Sequence, residues 1–357
     1  MDLFDPRIPI EKATTPPSSW YTDPASLVRE RGTVFRRSWQ AVGRIESVAA
    51  PGDFLSGDLA GEPYLVVRDG AGELRAFYNV CRHHATCVAQ GSGNTEQLIC
   101  PYHGWTYGLD GRLLKAPRMA GIQAFERDDY GLIPMQVAAW GPWVFIRQEA
   151  EGPELDQVLQ PLQGRLATER LRFHKSVTYE IACNWKVFVD NYLDGGYHVS
   201  HMHRGLASQL DLSAYRTEIL GQVSLQTCDA GEGGESKTGI DFNERLQGGA
   251  LYAFVYPNFM INRYGPIMDT NWVLPLAQDR TLTVFDYFFD QDVDADFIEA
   301  SLAASHQVQL EDIAICESVQ RGLSSSAYDV GRYAPRVEGA EHHFHSLLAG
   351  EFQEAGS

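Results

Sequence analysis

Two short stretches set the strongest limit on what this chain can become: Cys81-Arg-His83 and Cys100-Pro-Tyr-His103, with sixteen residues between His83 and Cys100. Two thiols and two imidazoles that share one site must be carried on two loops that a rigid scaffold brings together. Each pair falls where a β-rich run gives way to a loop, and the second is followed by Gly104-Trp105 and the turn Asp110-Gly111. The set suits either a tetrahedral zinc ion or a two-iron cluster in which cysteines hold one iron and histidines the other. The order Cys, His, Cys, His permits the cluster, because each loop then supplies one ligand to each iron. Zinc fingers usually present a close pair of cysteines and a close pair of histidines instead. Joined with the Gly104-Trp105 that follows, the pattern points to the cluster of the Rieske kind, with Cys81, His83, Cys100 and His103 as its ligands and His84 as a neighbour outside the set. Cys87 reads as an unpaired thiol.

At 357 residues the chain has room for about two domains. The pattern shifts place an N-terminal arm with one helix (24–39) in residues 1–39, a small all-β cluster domain of sandwich type in 40–148, and a second domain in 149–357. In the β domain, runs at 63–68, 74–79 and 140–147 are separated by Gly and Asp turns. After the break at 149–153 come helical segments, then strand-like runs at 219–227, 251–262, 270–276 and 281–289, and a long helical pattern at 294–322. Strands beside helices of this kind predict an α+β fold, with an antiparallel sheet gripped by helices.

Charge narrows the partners. With 29 basic and 47 acidic residues the net charge is −18, a field that opposes nucleic acid and anionic membrane surfaces. No apolar run reaches the roughly 18 residues of a membrane helix. The first residues, Met-Asp-Leu-Phe-Asp, lack the basic and apolar regions of an export signal, and six cysteines read as thiols or metal ligands before they read as disulfides, so a cytoplasmic protein is expected.

A cluster that moves single electrons needs only about one small domain, so the second domain calls for a further purpose. It contains Asn184-Trp-Lys-Val-Phe-Val-Asp190-Asn-Tyr-Leu-Asp194-Gly-Gly-Tyr-His198-Val-Ser-His201-Met-His203. Taken alone, two histidines five apart are more often surface residues than ligands. Beside a cluster motif, and completed by a carboxylate from the long C-terminal helix, they give the two-histidine, one-carboxylate set that leaves positions open on non-haem Fe(II) for dioxygen.

On these residues the chain resembles the α subunits of Rieske-type non-haem iron oxygenases, and within them it is most similar to the choline monooxygenases of plants. The stretches that carry the likeness are 100–108, 184–203, 205–210, 250–265, 268–271, 285–288, Glu311-Asp312 with 316–323, and 331–333 with 342–345. The resemblance implies that His198, His203 and Asp312 bind the mononuclear iron. It also implies that Asp194 links this iron to a cluster histidine of a neighbouring subunit, with Asp190 as a stand-in because Asp194 lies one residue farther from His198 than in many family members. Glu311 is the residue a one-position register error would select in place of Asp312. Ser200-His201-Met202 departs from the plant pattern, and His201 is expected to lie outside the ligand set.

A linking carboxylate between subunits implies a cyclic oligomer, a homotrimer. No G-x-G-x-x-G fingerprint is present, so electrons must come from a separate reductase or ferredoxin. The expected chemistry is the O2-dependent monooxygenation of a small quaternary ammonium compound, choline first, with N-demethylation of a betaine-like or carnitine-like molecule or hydroxylation of an aromatic acid as alternatives. Strands after residue 250 are expected to wall the pocket. Tyr256, Phe259, Trp272 and Tyr287 offer ring faces to a cation, and Arg263 could pair a substrate carboxylate.

Overall fold

The computed structural model describes residues 4–203, 210–230 and 249–354, so most of the 205–210 stretch lies outside the described residues. The chain forms two compact units, one of Phe35–Gln157 and one of Met1–Val34 with Val158–Ser357.

The first unit is built of ten antiparallel strands. They are β1 (Gln40–Arg44), β2 (Asp53–Leu59), β3 (Glu62–Arg68), β4 (Leu74–Tyr78), β5 (Ser92–Asn94), β6 (Leu98–Ile99), β7 (Thr106–Tyr107), β8 (Leu113–Lys115), β9 (Pro134–Trp140) and β10 (Trp143–Arg147). Seven form a sheet in the order β1-β10-β9-β4-β3-β2-β5, and β6-β7-β8 form a second, small one. The run expected as one strand at 140–147 is a hairpin, because Gly141 and Pro142 turn the chain and pair Trp143 with Trp140. Leu65, Val67, Phe77, Leu98, Trp105, Tyr107 and Leu113 pack around Cys81 and Cys100 as one apolar cluster. The two cysteine-bearing loops are therefore anchored on a shared core.

In the second unit, strands β11 (Leu171–Ile181), β12 (Leu210–Leu220), β13 (Val223–Ala230), β14 (Gly249–Val255), β15 (Phe259–Tyr264), β16 (Ile267–Ala277) and β17 (Arg280–Asp290) form one antiparallel sheet, in the order β11-β17-β16-β15-β14-β13-β12. Two of the expected strands are hairpins. The 219–227 run reverses at Gly221-Gln222, and the 251–262 run reverses at Tyr256-Pro257-Asn258, where apolar residues on both sides hide the turn. β11 falls where helical segments were expected.

This unit also holds helices α1 (Pro24–Gly32), α2 (Trp185–Leu193), α3 (Val199–Met202), α4 (Ala295–Leu323) and α5 (Gly339–Glu354). Asn184 caps α2 by accepting from Lys186 N at 3.1 Å. Asp294 caps α4 by accepting from Phe297 N at 2.8 Å. The arm fixes α2 from the other side. Glu30 of α1 accepts from Trp185 Nε1 at 2.7 Å and pairs with Lys186, and the side chains of Glu30 and Lys186 are both fully buried. Removing one partner from such a pair costs about 3–5 kcal/mol, so the arm is part of what holds α2 in place. Among the described residues, no helix is long and apolar enough to cross a membrane.

Candidate metal centres

The first centre lies in the β unit. Cys81 and Cys100 are each 2% exposed, whereas His83 is half-buried and His103 is exposed. The Nδ1 atoms of His83 and His103 face each other at 3.2 Å. The Cys100 thiol lies against that of Cys81 and receives the backbone N–H groups of Tyr102 and His103; burial pushes it up, and Cys81 adds to the rise. The Tyr107 hydroxyl lies 3.3 Å from Cys81 Sγ and accepts from Arg82 N at 3.0 Å. Trp105 stacks on the His83 ring at 4.8 Å and 10°. Two thiols at the buried end and two imidazole nitrogens at the surface end are the donors that a two-iron, two-sulfur cluster of mixed ligation takes. His84 is exposed beside His83, outside that pair of facing nitrogens, and Cys87 is a free, half-buried thiol.

The second centre lies in the other unit. The ligand atoms of His198, His203 and Asp312 lie within 4.8 Å of one another. α2 is followed, after Asp194, by Gly195 and Gly196, with φ of +71° and +74°. A side chain on Gly195 would collide with the Val337 carbonyl, and one on Gly196 would press on the Tyr215 ring at 3.0 Å. This glycine turn lets the chain leave the helix and bring His198 back beside it.

Each imidazole is held from behind. Asp194 Oδ2 lies 2.6 Å from His198 Nδ1 and accepts from His198 N at 2.9 Å, while Asp194 Oδ1 accepts from Gly196 N at 2.9 Å. Glu311 Oε2 lies 2.6 Å from His203 Nδ1. Both Nε2 atoms are left to face Asp312, at 3.9 Å from Oδ1 for His198 and 3.0 Å for His203. Asn191 Nδ2 donates to the same Oδ1 at 3.0 Å. Burial opposes a charged His203, but the Asp312 and Glu311 carboxylates outweigh it and raise the imidazole to about 8. Carboxylate behind Nδ1 and open Nε2 toward a third oxygen ligand is the arrangement that orients histidines on a metal and raises their basicity. The donor chemistry fits Fe(II).

Sequence reasoning placed Asp190 beside Asp194 as a stand-in, and the structure separates them. Asp190 accepts from the Tyr21 hydroxyl at 2.8 Å and lies 3.0 Å from His345 Nε2, whereas Asp194 holds His198. His201 is exposed and stands outside the His198, His203 and Asp312 group. Glu311 is the partner of His203. Because neighbouring helix residues point about 100° apart, Asp312 faces Nε2 while Glu311 reaches round to Nδ1. The positions of Glu311 and Asn191 had no signal in spacing, since they depend on how α2 and α4 face each other.

The five expected substrate residues are not gathered at one place, although Phe259 and Trp272 are cross-strand partners with ring centroids 6.5 Å apart. Phe259, Arg263 and Trp272 lie on the face of the sheet opposite to Asn262 and Asp269, as strand alternation dictates. Arg263 is bonded to the carbonyls of Leu166, Gly265 and Ile267, which occupies its guanidinium. It lines an open groove with Arg165 and Leu251 that none of the metal-centre residues lines. Tyr256, 2% exposed, packs on Phe344. Tyr287 alone shares the face of Asp269, its direct neighbour in register, and its hydroxyl lies 2.8 Å from Ser305 Oγ.

Residues 38–126 match the Rieske [2Fe-2S] domain family, and residues 168–352 match the catalytic domain of the ring hydroxylating alpha subunit family. The chain is 51% identical to the chloroplastic choline monooxygenase of Arabidopsis thaliana over 97% of its own length and 84% of that protein's. It is 29% identical to the carnitine monooxygenase oxygenase subunit of Escherichia coli K12, over 96% and 95% of the two chains. Among solved structures it is similar to a quaternary ammonium Rieske monooxygenase described for carnitine oxidation by gut microbiota and inter-subunit electron transfer, with a TM-score of 0.85, 28% identity and 96% of each chain covered. With both domain families matched in order, and with cofactors that are a Rieske [2Fe-2S] cluster and a non-haem iron, the chain belongs to the Rieske oxygenase α subunits.

Proposed function

We propose that this oxygenase hydroxylates choline at the carbon bearing the alcohol, giving betaine aldehyde hydrate. One atom of O2 enters the substrate and the other leaves as water, with two electrons and two protons taken up. The observation that supports the choline reading is the identity of 51% to a choline monooxygenase across nearly the whole chain. In this reading Cys81, His83, Cys100 and His103 hold the cluster, and His198, His203 and Asp312 hold the iron. When bound, these groups supply single-electron delivery and dioxygen activation.

The protein's own residues do the positioning. Asp194 and Glu311 fix the two imidazoles by their Nδ1 atoms, so that Nε2 is the donor in each case. Asn191 holds Asp312 Oδ1. Asp194 is also the acid that couples this centre to a cluster, and a homotrimer is the assembly in which that coupling crosses between subunits. The similar carnitine-oxidising structure is described as transferring electrons between subunits. An oxygenase α subunit draws electrons from a partner protein, here a separate reductase or ferredoxin. A cytoplasmic setting belongs to the same reading and rests on six cysteines assigned as thiols or cluster ligands; the plant relatives are chloroplastic, and cell fractionation distinguishes the two.

The test is NAD(P)H-driven oxygen uptake with a surrogate reductase across choline, betaines, carnitine and aromatic acids, with the products identified. Betaine aldehyde formed from choline, one per O2 consumed and without formaldehyde, is the expected result. Oxygen uptake coupled only to carnitine, to formaldehyde release from a betaine, or to an aromatic acid would replace the choline assignment.

A further inference from the structure

A second polar cluster meets α2 at Asp190. This residue lies about one helical turn before Asp194 and next to Asn191, which donates to Asp312 Oδ1. The Tyr21 hydroxyl of the N-terminal arm donates to Asp190 Oδ2 at 2.8 Å, and His345 Nε2 of α5 lies 3.0 Å from Asp190 Oδ1 and 2.9 Å from the same hydroxyl. The Tyr333 hydroxyl lies 2.7 Å from His345 Nδ1. A carboxylate only accepts, so Nε2 is the nitrogen that carries hydrogen and Tyr333 donates to Nδ1. Side chains from the arm, from α2, from the segment before α5 and from α5 itself thus close one network in which each donor meets an acceptor.

His345, Tyr21 and Tyr333 are buried, and the rings of Phe4 and Phe344 lie 6.0 Å and 5.5 Å from that of His345. Lys186, paired with Glu30, stands over the Tyr21 ring at 5.3 Å. In such surroundings a hydrogen bond is strong and an unmatched partner is costly, so the network holds Asp190 in one pose. Asp190, Glu341 and His345 also present ligand atoms within 4.8 Å of one another, but hydrogen bonds occupy both imidazole nitrogens and both Asp190 oxygens, which makes the set a lock rather than a metal site.

We propose that His345 is a positioning residue for the mononuclear centre: with Tyr21 and Tyr333 it locks Asp190, and through the last turn of α2 it sets where Asn191 meets Asp312 and Asp194 meets His198. The inference rests on the assignment of His198, His203 and Asp312 to iron and is independent of the substrate. Glu341 makes the lock sensitive to pH. Burial first, then the Asp190, Glu338 and Asp194 carboxylates, hold the Glu341 carboxyl well above the usual carboxylate range, so it stays protonated where a surface glutamate is ionised. As the pH rises through that raised value Glu341 ionises, and a second negative charge arrives beside Asp190. Burial, helped by Asp190 at Tyr21 and by Glu341 at Tyr333, keeps both phenols protonated above their ordinary range, so they remain donors meanwhile.

The experiment reads iron retention by chelator competition, kcat and KM with the substrate that the oxygen-uptake panel selects, and the pH dependence of kcat. It uses the wild-type enzyme, His345→Leu, His345→Gln, Tyr21→Phe and Glu341→Gln, each checked for cluster absorbance. His345→Leu should weaken iron retention and lower kcat about tenfold with little change in KM, the low end of what partners of metal ligands contribute. His345→Gln can donate its amide where Nε2 does and should recover most of that loss. Tyr21→Phe removes one donor without opening a cavity and should show a smaller fall of the same kind, which decides the matter if His345→Leu does not fold. The wild type should lose rate on the alkaline side as Glu341 ionises, and Glu341→Gln, neutral at every pH, should keep its rate there. A wild-type enzyme that holds only the cluster iron would sink the iron assignment itself. With that iron in place, three results would each overturn the positioning role: normal kcat and iron retention in both His345→Leu and Tyr21→Phe, an equal loss in His345→Leu and His345→Gln, or an alkaline fall that Glu341→Gln leaves unmoved.

Discussion

The two proposed metal centres are built on opposite electrostatic plans. In the cluster loops the sulfurs are buried and receive backbone N–H groups and a phenol, the imidazoles stand at the surface, and the polar partners are neutral. At the mononuclear centre three carboxylates, Asp194, Glu311 and Asp312, surround two imidazoles, and His203 is only 2% exposed. Neutral donors around sulfur stabilise added negative charge and so favour reduction. Carboxylates behind imidazoles favour a bound dication and fix where it sits. One region is arranged to exchange electrons at a surface, the other to keep an ion in a defined pose. They also differ in how their parts are gathered, since the cluster donors lie on two neighbouring loops whereas Asp312 comes from a helix far along the chain from His203.

The sharpest way to break this comparison is to empty one centre alone. Asp312→Ala should abolish product formation and lower the iron content from about three to about two atoms per chain, while the visible and EPR spectra of the cluster stay unchanged. Iron analysis beside EPR reads both at once. A full complement of iron in this variant would remove Asp312 from the ligand set.

A smaller effect separates holding a metal from coupling it. Asp194→Asn keeps the shape that supports His198 but loses the charge; it should retain both metals and lower product formation by roughly 100-fold. Glu311→Gln is the matched control on the other imidazole. It should weaken iron about tenfold, measured by chelator competition, and leave turnover of the fully loaded enzyme near normal. Equal loss of turnover in the two variants would reduce Asp194 to an orienting group. Normal turnover in Asp194→Asn would dismiss it from coupling, a role that the hydrogen bonds of Asp190 to Tyr21 and His345 do not offer in its place.

What the sequence discloses about these centres follows from how local each is. The proposed cluster ligands Cys81, His83, Cys100 and His103 are legible because that chemistry is written in spacing on two loops. His198 and His203 gain meaning only beside that motif, and Asp312 only through family likeness, since nothing in the helix pattern of 294–322 marks one acid over Glu311. Strand periodicity showed that aromatic residues alternate after 250, but alternation does not say which face meets α2. Phe259, Arg263 and Trp272 share one face of the sheet, whereas Tyr287 lies on the other. The hairpin at 257 was missed because its turn sits between apolar residues, and the one at 221 because the apolar–polar alternation carries on past Gly221.

The smallest expected effect tests the neutral side of the comparison. The Tyr107 hydroxyl lies 3.3 Å from Cys81 Sγ, with the ring fully buried and its oxygen already accepting from Arg82 N, so the phenolic proton is free to point at the sulfur. A donor to a ligand sulfur stabilises the reduced cluster, which carries one more negative charge, more than the oxidised one. Tyr107→Phe removes that donor without opening a cavity and should lower the reduction potential on the order of tens of millivolts. The mononuclear centre should keep its iron, and turnover should fall only as far as the less favourable electron uptake requires. A redox titration followed by circular dichroism measures the shift. An unchanged potential would mean that the sulfur is tuned by the backbone N–H groups alone, and the contrast between neutral and charged surroundings would then rest on Tyr102 and His103.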